Sequence, residues 1–241
     1  MPTLDLAWGL AGLRKAMHRH DSIVIIDELR FSSAVVAATY RGFTILPTAD
    51  RSKGTEGFSL SPISFIGKKP CRVVLYSSNG ASLSVNARYA SRVIYGSLLN
   101  AKAVAASIDR YGVSTTLLAA GEKDITAREP FVSSREKRLA KGNRIFALED
   151  IMAAGAIAYY AKMSKSQECI RAVRLFKAVK GGLSQALRDT ASHRYNTALR
   201  KGTDHDTVDC SALNACNVVP YLLFNNRHLE IKSNTLSVGD R

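Results

Sequence analysis

Short apolar runs rich in β-branched residues alternate along the chain with stretches whose apolar positions recur every three or four residues. The runs at 22–26, 43–46, 72–76, 92–95 and 115–119 predict strands. Between them, 33–41, 81–90 and 101–111 carry helical spacing. Strands that are apolar throughout, not alternating, are buried on both faces, so the pattern predicts an α/β layered sheet with helices packed outside it.

After residue 119 the rhythm breaks. Residues 121–143 are polar, contain Pro130 and show little hydrophobic periodicity, so they read as an inserted loop. Such a loop is either a lid over a site or a solvated surface insertion, and both readings stay open. From residue 148 onward the pattern is helical, at 148–163, 166–179, 184–190 and 194–201, with Gly181, Gly182 and Gly202 as stops. A last strand is predicted at 218–224. No fixed-period repeat and no linker rich in Pro, Gly or Ser divides the chain, so residues 1–241 are expected to form one domain with a basic insertion at about 122–144.

Composition narrows the class. With 241 residues, 46% of them hydrophobic, the chain can bury a full core. No apolar run approaches the about 18–20 residues that a membrane crossing needs, and the N-terminal stretch lacks the apolar core and cleavage site of a signal peptide. The expected compartment is the cytoplasm, with no membrane partner. Cys71, Cys169, Cys210 and Cys216 show neither zinc-site nor disulfide-framework spacing.

Charge changes the picture further. Lys plus Arg number 34 against 20 Asp plus Glu, a formal net charge of +14. Such a surplus suits nucleic acid, a small polyanionic substrate, or nothing specific. The basic residues are scattered along the helical stretches without a continuous tail or a nucleic-acid signature, so a basic nucleic-acid-binding protein with structural carboxylates is the alternative, not the first reading.

Three predicted strands run into small polar residues and then a helix. They present Asp27, Arg30, Ser32 and Ser33, then Ser77, Ser78, Asn79 and Gly80, then Gly121 and Glu122. In open α/β sheets, ligands bind outside the carboxyl ends of strands, where helix N-termini offer N–H groups to anions. The same residues also serve as caps and turns. Asp27 follows four apolar strand residues and has three open roles: a Mg²⁺ ligand, a nucleophile, or the ion-pair partner of Arg30. Glu149 and Asp150 open an alanine-rich helix, where the helix dipole alone favours acids. As hard oxygen donors they also suit Mg²⁺. Glu56, in a polar turn, and Asn100, at a helix start, are weaker candidates for substrate contact or capping.

Read in order, AWGLAGL, IVIIDELRFSS, TEGFSLSP, VVLYSSNGAS, YGSLLNAKAVA, LLAAGE, ALEDIMAAGAIA and a late G-x3-D-x-V before VVP resemble the 2-phosphosulfolactate phosphatase family over nearly the whole chain. Glu28 stands where that family usually has an apolar residue. The resemblance implies a three-layer α/β/α fold with a mainly parallel or mixed sheet, and a cytoplasmic Mg²⁺-dependent phosphatase of phosphate esters of small 2-hydroxycarboxylic acids. It names a coenzyme M biosynthesis reaction. On this reading Asp27 and Arg30 are catalytic. Asp27, Glu149 and Asp150 bind metal, and Ser32, Ser33, Glu56, Ser77, Ser78, Asn79, Gly80, Asn100, Gly121 and Glu122 meet a small anionic substrate. A homodimer is left open.

Overall fold

In the computed structural model, which describes residues 1–123, 144–194, 204–225 and 228–235, strands from Thr3 to Thr235 build the layers. The elements that place the site are β1 (Thr3–Trp8), α1 (Gly9–His18), β2 (Ser22–Ile26), α2 (Phe31–Tyr40), β3 (Thr44–Thr48), β4 (Arg72–Tyr76), α3 (Gly80–Asn86), β5 (Val93–Tyr95), α4 (Ala101–Tyr111) and β6 (Thr115–Ala119). They continue with β7 (Glu122–Lys123), β8 (Arg144–Ile145), α5 (Leu148–Tyr160), β9 (Ser164–Lys165), α6 (Gln167–Val179), α7 (Leu183–Arg188), α8 (Asp204–Cys210), β10 (Val218–Asn225) and β11 (His228–Thr235).

Among the described residues the main sheet has nine strands in the order β4-β3-β11-β10-β5-β2-β6-β1-β9. β5, β2, β6, β1 and β9 are mutually parallel, whereas β10 and β11 pair antiparallel to each other and to their outer neighbours, so the sheet is mixed. β2 lies between β5 and β6, and all five of its residues are buried, which is why its sequence is an unbroken apolar run.

Alternate residues of β2 feed two cores. Val24 and Ile26 pack with α4, α5 and α6 on one face, through Val104, Ile108, Ala154, Ile157 and Phe176. Ile23 and Ile25 pack with α1, α2 and α3 on the other, through Leu13, Phe31, Val35 and Leu83. The result is the three-layer α/β/α arrangement. The alanine-rich α5 owes its depth to close approach. A Cβ on Gly155 would sit 2.1 Å from the carbonyl oxygen of Ala172, so α5 and α6 touch backbone to backbone there.

Several elements escaped the sequence pattern, among them β1, α1, β9, α8 and β11. β1 was not predicted because its burial alternates and Asp5 interrupts it, yet it pairs with β6 along five residues. β11 reads as polar because Ile231 is its only core residue among those described, the rest of its ladder being main-chain pairing with β10. All four cysteines are free, Cys210 and Cys216 included. The inserted segment and the predicted helix at 194–201 lie almost wholly outside the described residues. The segment's two ends, β7 and β8, pair antiparallel with each other. Among the described residues, no helix is long and apolar enough to cross a membrane.

Candidate active site

Asp27 leaves β2 and is buried where β4 turns into α3. Its Oδ2 accepts the Gly80 N–H at 2.7 Å and the Ser77 hydroxyl at 3.3 Å, and its Oδ1 accepts the Phe31 N–H at 3.4 Å. Gly80 is required by this approach. A Cβ there would lie 2.3 Å from Phe31 Cδ1 and 2.8 Å from Asp27 Oδ2. The turn is knit further by Ser77, which accepts the Asn79 N–H at 3.1 Å, while Ser78 donates to the Asn79 carboxamide at 3.4 Å. Asn79 in turn donates to Glu122 at 3.2 Å, joining the β4 exit to the β6 exit.

Asp150, in the first turn of α5, braces two strand ends at once. Its oxygens accept the N–H of Glu28 at 2.8 Å and of Gly121 at 2.9 Å. Glu28 reaches the third strand end: its carboxylate accepts the Leu98 N–H at 3.1 Å, past β5, and the Ser33 hydroxyl at 3.1 Å. Glu149 accepts a hydrogen bond from Ser192. The exits of β5, β2 and β6 therefore share one buried layer of carboxylates and main-chain N–H groups.

Among the described residues, these acids are met by neutral donors. Burial raises the carboxyl of Asp27, opposed by the Gly80 N–H and reinforced by Glu122. Burial raises Glu28 to about 8, against the hydrogen bonds from Leu98 and Ser33. Glu149 is raised by burial and by its proximity to Glu122 and Asp27. Asp150 is pushed well up by burial, then by Glu149 and Asp27. The donors that oppose these shifts are neutral N–H and O–H groups, and the nearby charges that add to them are carboxylates.

Arg30 sits in the turn between β2 and α2, and its Nη1 pairs with the carboxylate of Asp206 in α8. Ser61 donates its hydroxyl to the same carboxylate.

Several predicted substrate contacts are spent inside the protein. Ser32 accepts the Asp27 N–H and donates to the Ile25 carbonyl, and Ser33 donates to Glu28, so both hydroxyls secure the start of α2. Asn100 is fully buried. Its carboxamide accepts from Ser97 N–H and donates to the carbonyls of Tyr95 and Val218, which makes it a lock between β5 and β10. Glu56 lies exposed in its turn. In the TEGFSLSP stretch it is Ser61 that reaches Arg30's partner.

Sequence reasoning noted Glu28 only as a departure from the family pattern and assigned no site role to Glu28, Ser61, Ser192 or Asp206. Asp206 carried a signal as the acid of the late G-x3-D-x-V, but its partner lies 176 positions away.

The donor chemistry fits a hard divalent cation. All the acids offer oxygen, and Mg²⁺ takes one or two carboxylates while keeping several waters. Among the described residues, no three His, Cys, Asp or Glu side chains form a closed ligand set. Asp27 and Asp150 each accept an N–H on both oxygens, and Asp27 with Glu149 or Asp150 matches that demand in donor type. An aromatic rim flanks the layer. Trp8, at the carboxyl end of β1, meets Phe146 edge-on with ring centroids 5.4 Å apart, and both are exposed.

Residues 49–224 match the family model described as 2-phosphosulpholactate phosphatase. No curated protein matches the chain. The matched span holds Ser77–Gly80, Gly121, Glu122, Glu149, Asp150 and Asp206 and leaves out Asp27 and Arg30, which the hydrogen bonds above join to it.

Proposed function

Because the chain belongs to the 2-phosphosulpholactate phosphatase family, and is thus a phosphoric monoester hydrolase, we propose that it is a Mg²⁺-dependent phosphatase of phosphate esters of small 2-hydroxycarboxylic acids. The observation that carries this reading is the buried carboxylate layer at the exits of β5, β2 and β6, with Arg30 in the turn that follows Asp27 along the chain. Where these carboxyls ionise, a dianionic phosphate and a carboxylate beside them need accompanying cationic charge. One divalent cation would serve both the acid layer and a phosphate ester bound beside it.

Asp27, with Glu149 or Asp150, would hold Mg²⁺, which would supply charge neutralisation to the phosphoryl oxygens. Asp27 is fixed for this role by the Gly80 N–H and Ser77. Asp150, braced on two strand ends, keeps Gly121 and Glu28 at constant separation around it. Arg30 contacts the transferring phosphate, where a planar guanidinium matches two oxygens at once. Hydrolysis moves the phosphoryl group from the ester oxygen to a water oxygen. The water gives up a proton, the leaving alkoxide gains one, and inorganic phosphate and the 2-hydroxy acid are released. The substrate's own carboxylate is met by basic side chains of the +14 surface.

The test is phosphate release from 2-phosphosulfolactate, 2-phospholactate and 2-phosphoglycerate, with Mg²⁺ and with chelator. Turnover that needs metal supports the reading. Folded, metal-supplied protein that releases no phosphate from any of them overturns it. The nucleic-acid alternative is not carried further, because acids and not bases converge at the strand ends.

A further inference from the structure

Asp206 stands apart from the other acids at this end of the molecule. It is 8% exposed, and both its oxygens are engaged by side chains: Oδ2 by Arg30 Nη1 and Oδ1 by the Ser61 hydroxyl. The three residues come from remote parts of the chain, the turn after β2, the loop before the 3-10 turn at Pro62–Phe65, and α8. α8 is itself anchored, since Thr207 meets His193 Nδ1 at 2.7 Å and the neighbouring Ser192 holds Glu149.

An arginine on its own stem has rotamer freedom to lose before it can present a fixed fork. A carboxylate whose second oxygen is pinned by a hydroxyl removes that freedom before any ligand arrives. Charge-assisted hydrogen bonds of this kind set direction as well as energy. The contact uses Nη1, one of the sites on a group with five N–H donors.

We infer that Asp206 is a positioning residue: braced by Ser61, it sets the direction in which Arg30 presents its guanidinium to the phosphate of the substrate. The inference rests on the proposed reading of Arg30 as the phosphate contact. It gives the late G-x3-D-x-V stretch and the TEGFSLSP stretch one shared task, which neither Asp206 nor Ser61 performs by touching substrate.

The experiment compares Asp206→Asn, Ser61→Ala, Arg30→Gln and the Asp206→Asn/Arg30→Gln double variant in the full chain with Mg²⁺ supplied. KM, kcat and the inhibition constant for inorganic phosphate are measured. Misplacing a clamping group by about 1 Å can cost on the order of 100-fold. Asp206→Asn is expected to raise KM and the phosphate inhibition constant about 10- to 100-fold, by more than it lowers kcat. Ser61→Ala should shift the same two constants in the same direction by a smaller factor, and it covers the case in which Asp206→Asn does not fold. In the double variant the Asp206 change should add almost nothing to Arg30→Gln, because its effect runs through that side chain. Wild-type constants in folded Asp206→Asn, or factors that multiply in full in the double variant, overturn the inference. Absence of turnover in the wild type would instead fall on the phosphatase reading. Calorimetric binding of inorganic phosphate then decides the clamp: weaker binding in Asp206→Asn keeps it, and equal binding, or none in the wild type, overturns it.

Discussion

The two ends of the parallel strands handle buried acid in opposite ways. At the amino ends, Asp5 in β1 and Asp21 just before β2 share one cation. Arg19 pairs with Asp5 at 2.9 Å and with Asp21 at 2.8 Å and also donates to Thr116. At the carboxyl ends, Asp27, Glu28, Glu149 and Asp150 face neutral donors and one another, and all are pushed toward protonation. The first end is closed electrostatically by its own side chains. At the second, among the described residues, the groups that oppose the acids are neutral donors, and that contrast supports the proposed binding of a cation there.

Four perturbations break or sharpen that contrast. The largest effect is expected for Asp27→Asn, which should lower kcat/KM by about 10³-fold while the fold survives, because a buried acid with a raised pKa is lost and its donors keep an oxygen acceptor. Phosphate-release kinetics beside a thermal melt check it. Unaltered kinetics would make the carboxyl end as structural as the amino end. Next, Gly80→Ala forces a Cβ against the Phe31 ring and Asp27, so both melting temperature and activity should fall. An over-packed core position costs about 1–3 kcal/mol, which in a chain of this size is several degrees.

The third perturbation is pH. Glu28 is raised from the usual glutamate range to about 8, so its contribution to stability is complete below about pH 4.5 and is lost as pH rises through about 8. Metal-free protein should therefore melt at a progressively lower temperature between pH 5 and pH 9. Glu28→Gln should flatten that slope, and Mg²⁺ should offset it. Arg19 lies outside this window, since its pKa is raised from an already high value by Asp21. Stability that rises over the same range would refute the assignment of unbalanced acid to one end.

The smallest effect is expected for Arg19→Gln. Its side chain is 44% exposed, so solvent screens the pairs and the loss should be about 1 kcal/mol, with kcat and KM unchanged. A kinetic defect approaching that of Asp27→Asn would dissolve the distinction.

The fold was legible where a run was apolar throughout: β2 and β6, buried on both faces, lie at 22–26 and 115–119, the edge strand β4 with its run RVVLY lies at 72–76, and α4 occupies 101–111. Where a strand has one wet face or is held by main-chain ladders, as β1 and β11 are, composition carries little signal and the pattern missed it. The site was legible in part for a similar reason. Local grammar, a strand running into small polar residues and a helix, located Asp27, Ser77–Gly80 and Gly121 together. It did not distinguish polar side chains engaged within the protein from those free to meet a ligand, and the hydroxyls of Ser32 and Ser33 and the carboxamide of Asn100 are of the first kind. Nor does any local rule connect Arg30 to Ser61 and Asp206, because the connection exists only after the chain has folded across more than half its length.

The aromatic rim gives the molecule a built-in optical gauge. Trp8 is the chain's one tryptophan, and it pairs in register with Ala119, two residues before Gly121. Its indole lies half in water and half against Phe146, three positions ahead of Glu149. Emission from this single fluorophore arises at the mouth of the acid layer, with no second indole elsewhere to dilute it. A change in its colour or intensity on adding metal, phosphate or ester would follow occupancy in real time, in the native chain and without a label.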